Sequence, residues 1–220
     1  NLTLNAENDT IVDSSITSEG TGTIIALNAG NNIVLNSDVR VAYNGDSFGE
    51  VHLDATTGSI SGTGQIEALK LYIGAYSGAT VNYQVKDLGM GPATGIVAGY
   101  VSGDLQLNLD GTDGVYSIGT VNTQDGLTAS GDITLHATGS VNQTQPVVAN
   151  GLELQATGAG TYNLTSTDND VSTLAANVPE GFSFANNSNL SIGTVNSTTG
   201  VTSAADESFI SITGSGTLTI

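Results

Sequence analysis

Two stretches of this chain repeat each other at a fixed distance. YSIGTVNTQDGLTAS occupies residues 116–130 and LSIGTVNSTTGVTSA occupies residues 190–204. Ser117 aligns with Ser191, Asn122 with Asn196 and Gly126 with Gly200, each pair 74 residues apart. A catalytic motif is needed once, whereas a phrase repeated at constant offset marks a repeating architecture. A shorter unit, an aliphatic residue, a polar one and Ala, supports this. It occurs as Leu4-Asn5-Ala6, Leu27-Asn28-Ala29, Leu53-Asp54-Ala55, Leu135-His136-Ala137 and Leu154-Gln155-Ala156, with leucine spacings of 23, 26, 82 and 19. The long gap has room for three or four further units, with Leu107 inside it. A loose period of about 19–27 residues is that of a solenoid coil. On that period the 74-residue offset predicts the same coil corner, three or four coils apart.

Within each unit the apolar residues alternate. TIIALNA (23–29), NIVLNS (32–37), DLQLNLD (104–110) and DITLHA (132–137) place aliphatics at every second position, the pattern of half-buried strands. Gly, Asn and Asp punctuate them, as tight corners require. No window carries a sustained 3.6-residue apolar rhythm. The prediction is an all-β parallel β-solenoid, a single segment over residues 1–220 of roughly ten coils, each turning through about three short strands. At about 4.8 Å per coil the rod is about 45 Å long. Stacked Asn, Ser and Thr predict hydrogen-bonded side-chain ladders. A β-sandwich is the alternative for regularly spaced strands; in-line repeats favour the solenoid.

Composition narrows the function. Only 11% of residues are charged while 38% are hydrophobic, which separates the chain from acidic disordered tails. The net charge of −18 sets 21 acidic residues against Arg40, Lys70 and Lys86 alone. Such a surface repels phosphate backbones, so nucleic acid is not an expected partner, and anionic membranes and polysaccharides are disfavoured for the same reason. Without cysteine there is no disulfide, thiolate metal site or cysteine nucleophile. No apolar run reaches the length of a membrane-spanning helix, and no membrane insertion is expected. The opening residues already read as strand and turn, and SGTLTI (215–220) ends within a strand, so we expect an internal fragment of a longer chain.

One stretch breaks the rhythm. Residues 70–100 carry Tyr72, Tyr76, Tyr83 and Tyr100, four of the seven tyrosines, together with Lys70, Lys86, Met90 and Pro92. Departures of this kind in a solenoid map to loops on one face, often the binding face. These four tyrosines are therefore the candidate partner-binding residues; the competing expectation is that they cover an edge or pack between coils.

Residues 139–203 resemble the repeats of large bacterial exoproteins of the filamentous haemagglutinin type. The phrases VNQT, GLEL, VSTLAAN and SIGTVNSTTGVT carry the likeness, which is clearest over residues 114–202, looser over 1–68 and weakest over the tyrosine-rich stretch. The resemblance implies a right-handed parallel β-helix exported by a dedicated partner protein. It also implies a role at the bacterial cell surface, in adhesion, aggregation or biofilm, or as a stalk. The family's secretion domain, with its Asn-Pro-Asn motifs, has no counterpart here, so export by that route is implied by the resemblance alone.

Asp110 with Asp113, or Asp168 with Asp170, offers the paired carboxylates of glycoside hydrolysis, but both pairs sit in corners where Asp serves the turn. The loop NLDGTDGVYS (108–117) faintly resembles a calcium loop, without the six to eight oxygens or tandem copies such a site needs. His52 and His136 alternate with leucines and point outward, with no third ligand for a metal. The Asn-x-Ser/Thr sequons fall in a chain already rich in those residues. An ice-binding Thr ladder would need more than the one Thr21-Gly22-Thr23. The expectation is a non-enzymatic structural or adhesive segment without cofactors, secreted to the bacterial surface. Its partner would be a cell-surface or matrix component, with a glycan as one class. The alternatives are a filament subunit self-associating end to end, and a glycan-binding or glycan-degrading β-helix.

Overall fold

The computed structural model describes residues 1–20, 22–41, 49–84, 94–110, 115–204 and 208–220. The chain forms a β-solenoid of about eight turns, with no helix among the described residues. Among the described residues twenty-five strands join one sheet in which every pairing is parallel. The first Leu-x-Ala units stack as expected. Leu4 pairs with Leu27 and Leu27 with Leu53, while Ala6, Ala29, Ala55 and Ala75 follow one another beside them. The column then runs Ile73, Gly99, Leu127 and Val147. The later units belong to a different face. Leu107, Leu135 and Leu154 stack on Val81, not on the Leu53 column. The 82-residue gap therefore spans a change of face rather than a run of missing copies.

Alternation builds the core directly. In Ile24–Ala29 every second residue is buried, and the buried set forms one cluster from Val12 to Leu190. Removing Ile, Leu and Val side chains from water is the main favourable contribution, roughly 1.5–3 kcal/mol for each large one. The first three coils use three short strands, for example Glu50–Ala55, Ser59–Gly62 and Gln65–Glu67. The next coil fuses two of these faces: Gly78–Gln84 pairs at its start with Ser59–Gly62 and at its end with Gln65–Glu67. Lys70–Ala75 with Gly78–Gln84, and Thr94–Val101 with Asp104–Leu109, are thus coils of two long strands instead of the expected three; short strands such as Leu127–Ala129 and Val141–Gln143 return later.

About eight coils form rather than ten, so the rod is nearer 38 Å. Along the Leu4 column successive coils take 23, 26, 20, 26, 28 and 20 residues. The longest one spends eight residues outside the coil. Val97 pairs with Ile118 and Gly99 with Leu127, so residues 119–126 stand opposite Ala98 alone. The same event recurs: Leu174 pairs with Ile192 and Ala176 with Val201, leaving residues 193–200 opposite Ala175. These excursions are the repeated SIGTVN phrases. They are not coil corners: each is a short antiparallel hairpin leaving the middle of a face. Hairpin 1 pairs Thr120–Val121 with Gln124–Asp125, and hairpin 2 pairs Thr194–Val195 with Thr198–Thr199.

The polar columns ladder as predicted, with Asn28 donating to Asn5 and Asn108 to Asn82, both at 2.8 Å. Corner acids and amides reach into the next coil rather than back to their own turn. Asp9 accepts from the Asn32 backbone N–H at 3.0 Å, Asn32 from that of Ser59 at 3.0 Å, and Asp104 from that of Asp132 at 2.9 Å. One amide goes further. Asn169 is fully buried, accepts from the Val147 N–H at 2.7 Å, and donates to the Leu164 and Ala185 carbonyls at 3.2 and 3.0 Å. It ties three successive coils at one corner. Asn169→Leu strands those backbone groups away from water, and we expect a loss of about 3 kcal/mol in denaturant unfolding. An exposed amide such as Asn163 should change stability by less than about 0.5 kcal/mol on the same replacement.

Candidate functional site: an outer groove walled by a hairpin

The four candidate tyrosines do not share one environment. Tyr76 and Tyr100 are exposed, at 63% and 48%. Tyr72 is half-buried on the outer face, its ring edge-on to His52 at 5.9 Å. Gly74 pairs with Tyr100, and a Cβ on Gly74 would lie 2.7 Å from the Tyr72 hydroxyl, so Tyr72 leans towards Tyr100. Tyr83 is a correction. It points inward, fully buried, donates to the Leu69 carbonyl at 2.9 Å and packs edge-on against buried Tyr116. Burial pushes its hydroxyl far above the usual tyrosine range. Its position continues the column of Val39 and Ile66, which are core residues. Lys86, Met90 and Pro92 lie outside the described residues.

The two described basic side chains are both paired. Lys70 pairs with Glu50 at 2.7 Å and Arg40 with Glu67 at 2.7 Å. Glu50 also meets His52 at 3.0 Å. Burial raises the Glu50 carboxyl, but Lys70 and His52 outweigh it and hold the group below the usual carboxylate range. Asp110, Asp168 and Asp170 are all exposed, and Asp113 lies outside the described residues, as does most of the glycine-rich part of the calcium-like loop. Among the described residues no three His, Asp or Glu side chains converge as metal ligands would.

The site that the residues do build depends on the hairpins. In hairpin 1, Asn122 and Thr123 both adopt left-handed backbone, φ 50° and 65°. That is the requirement of a tight two-residue hairpin turn and explains why Asn sits there. Asn196 occupies the matching position in hairpin 2, φ 48°. Each hairpin is closed by a glycine N–H, Gly126 to the Gly119 carbonyl and Gly200 to that of Gly193. Each carries one buried valine, Val121 and Val195, over an outward alanine that is itself fully buried, Ala98 and Ala175. The hairpins are therefore docked flat on the rod.

Hairpin 2 is docked through Glu153. On alternation Glu153 points outward, between Thr134 and Ala175 in neighbouring coils, yet it is 1% exposed. Its carboxylate accepts from the Thr134 hydroxyl at 2.8 Å, the Ser197 hydroxyl at 3.0 Å and the Gln155 amide at 2.8 Å. Asn196 at the hairpin tip donates to Thr134 at 2.9 Å. Burial alone would raise the Glu153 carboxyl; hydrogen bonds from Thr198, Thr134, Gln155 and Ser197 outweigh it and hold the group below its ordinary value of 4.5. Beside the hairpin tip runs a groove of about 480 Å³, floored by Thr80, Gln106, Asn108, Thr134 and His136 and walled by Asn196 and Ser197. A second cavity of about 480 Å³ adjoins it, sharing Asn108 and His136. Sequence pattern did not reveal Glu153 or the groove. A Glu at an outward strand position reads as solvated, and only the fold brings residues 196 and 134 together.

Comparison of the chain with protein-family models, with curated proteins and with solved structures returned no match.

Glu153 makes hairpin docking acid-sensitive. Its folded value lies below its unfolded one, so its contribution is complete above about pH 4.5 and is lost as pH falls through the lower folded value. The protection factors of the amides at residues 194–199 should fall on acidification below about pH 4.5, ahead of those of the coil strands. In Glu153→Gln these amides should exchange faster already at pH 7, with a stability loss of about 2 kcal/mol.

Proposed function

We propose that this chain is a non-catalytic structural and adhesive segment, a stiff shaft section of a bacterial surface exoprotein. The observation that carries this reading is the continuous parallel sheet, in which every strand between the first and last coils is paired to coils on both sides. In such a stack each coil is a template for the next, and bending or local opening must break backbone hydrogen bonds in several strands at once. The resemblance of residues 114–202 to filamentous haemagglutinin-type repeats supports the surface location. The exposed Tyr76 and Tyr100, with Tyr72 beside them, supply rigid contact area at low entropic cost for a cell-surface or matrix partner. Strands of the two end coils, such as Leu2–Ala6 and Phe209–Gly214, pair on one side only, and these open edges support a second reading, end-to-end stacking of copies into a filament; a molecular mass that does not rise with concentration in light scattering would exclude it for the isolated chain.

Pulling the molecule from its termini tests the shaft directly. We expect high-force rupture in steps of one coil, 20–28 residues, or roughly 7–10 nm of released chain. Smooth low-force extension would argue against a mechanical role. Replacing Tyr72, Tyr76 and Tyr100 together by Ala should preserve the melting transition while reducing adhesion of protein-coated beads to cells. Tyr83→Ala should instead cost about 3–5 kcal/mol of stability.

A further inference from the structure

We propose that the groove beside hairpin 2 is a binding site for a neutral saccharide chain, lying along the rod axis. The inference is independent of where the molecule is displayed and of the tyrosine surface.

The chemistry of the groove selects the ligand class. Its floor is a set of side chains that both donate and accept. Gln106 is exposed, Asn108 and His136 are half-buried, and Thr80 stands in the strand before them. Among the described residues, neither the His136 ring nor the Thr80 hydroxyl has a hydrogen-bond partner; a neutral imidazole offers one donor and one acceptor. Hydroxyl groups of a sugar are donor and acceptor at once and match this set. Other classes fit worse. Among the described residues no Lys or Arg lines the groove, and the chain carries −18, so anions are repelled. Among the described residues no Phe, Tyr or Trp ring and no broad apolar surface lines it, which disfavours lipids and flat aromatic ligands. A cationic ligand would find little accessible anionic oxygen: of the two carboxylates lining the groove, Glu153 is 1% exposed and turned to Thr134, Ser197 and Gln155, and Asp104 gives one oxygen to the Asp132 backbone N–H.

Geometry gives direction and length. Thr80, Gln106, Thr134 and Glu153 are register partners in four successive coils, as are Asn82, Asn108, His136 and Gln155 beside them. Two parallel polar rows thus run along the axis, open for about 10 Å from Thr80 to Thr134 before hairpin 2 covers Glu153, enough for about two hexose units. Hairpin 2 closes one end with Asn196 and Ser197, so the site exists only because the excursion folds back over earlier coils.

The test uses the whole 220-residue protein, labelled for NMR, with maltohexaose, cellohexaose, mannohexaose and a galactan hexasaccharide as probes. Spermidine and a sulfated hexasaccharide serve as charged comparators. We expect at least one neutral oligosaccharide to shift the side-chain amide signals of Gln106, Asn108 and Asn196 at millimolar concentration. Gln106→Ala combined with His136→Ala should weaken that binding at least about tenfold with an unchanged melting temperature. Should the double variant fold poorly, Gln106→Ala alone, at an exposed position, should still weaken it measurably. The proposal is overturned if no neutral probe shifts those signals at about 10 mM, if the shifts map elsewhere, if the variants bind unchanged, or if only a charged comparator occupies the groove.

Discussion

Parallel, in-register pairing between consecutive coils is the interaction on which the rest of this structure depends. Because every coil must present its N–H and C=O groups at the same heights as its neighbours, inward positions fall into columns. A column tolerates only what its neighbours can pack against: Ile25 with Val51 and Leu71, Ala29 with Ala55 and Ala75. The same constraint places outward side chains in rows, where amides can bond along the axis and a corner Asp can reach the next coil's backbone. Buried Asn169 extends that device into the interior, where an unpaired amide would be costly.

Insertion is tolerated where it does not disturb the ladder. Both hairpins leave opposite a single outward alanine, and both return so that the following residue resumes pairing at once. The inward columns on either side remain unbroken. The cost is a fully enclosed outward position, met by placing alanine below and valine above. The chain uses the device on two different faces. Over Ala175 it meets Glu153 and becomes a hydrogen-bonded latch, whereas the arms of hairpin 1 lie against the strands carrying Ala98 and Tyr72. Closely similar local sequence thus serves different surfaces, because what a hairpin touches is set by coils up to 62 residues earlier in the chain.

The candidate surface was legible only in part. Tyr76 and Tyr100 stand outside, while Tyr83, in the same compositional cluster, belongs to the core. Composition cannot separate them, since the distinction is one of strand phase, and the phase of Gly78–Gln84 is established by its pairing with two earlier strands. Glu153 shows the opposite error. Its phase is outward and its charge suggests solvent, but the hairpin 44 residues later covers it.

What the sequence by itself determined is local and periodic: strands from two-residue alternation, corners from Gly, Asn and Asp, a stacked parallel architecture from in-line repeats. These follow from nearest-neighbour physics, because a strand's buried face is written in its own residues. The tertiary structure alone decided which repeats share a column, that the SIGTVN phrases are excursions rather than corners, and that residues 80, 106, 136 and 196 border one groove. Those depend on how many residues each coil spends before closing. That number varies from coil to coil and is settled only when long-range backbone pairing selects one register.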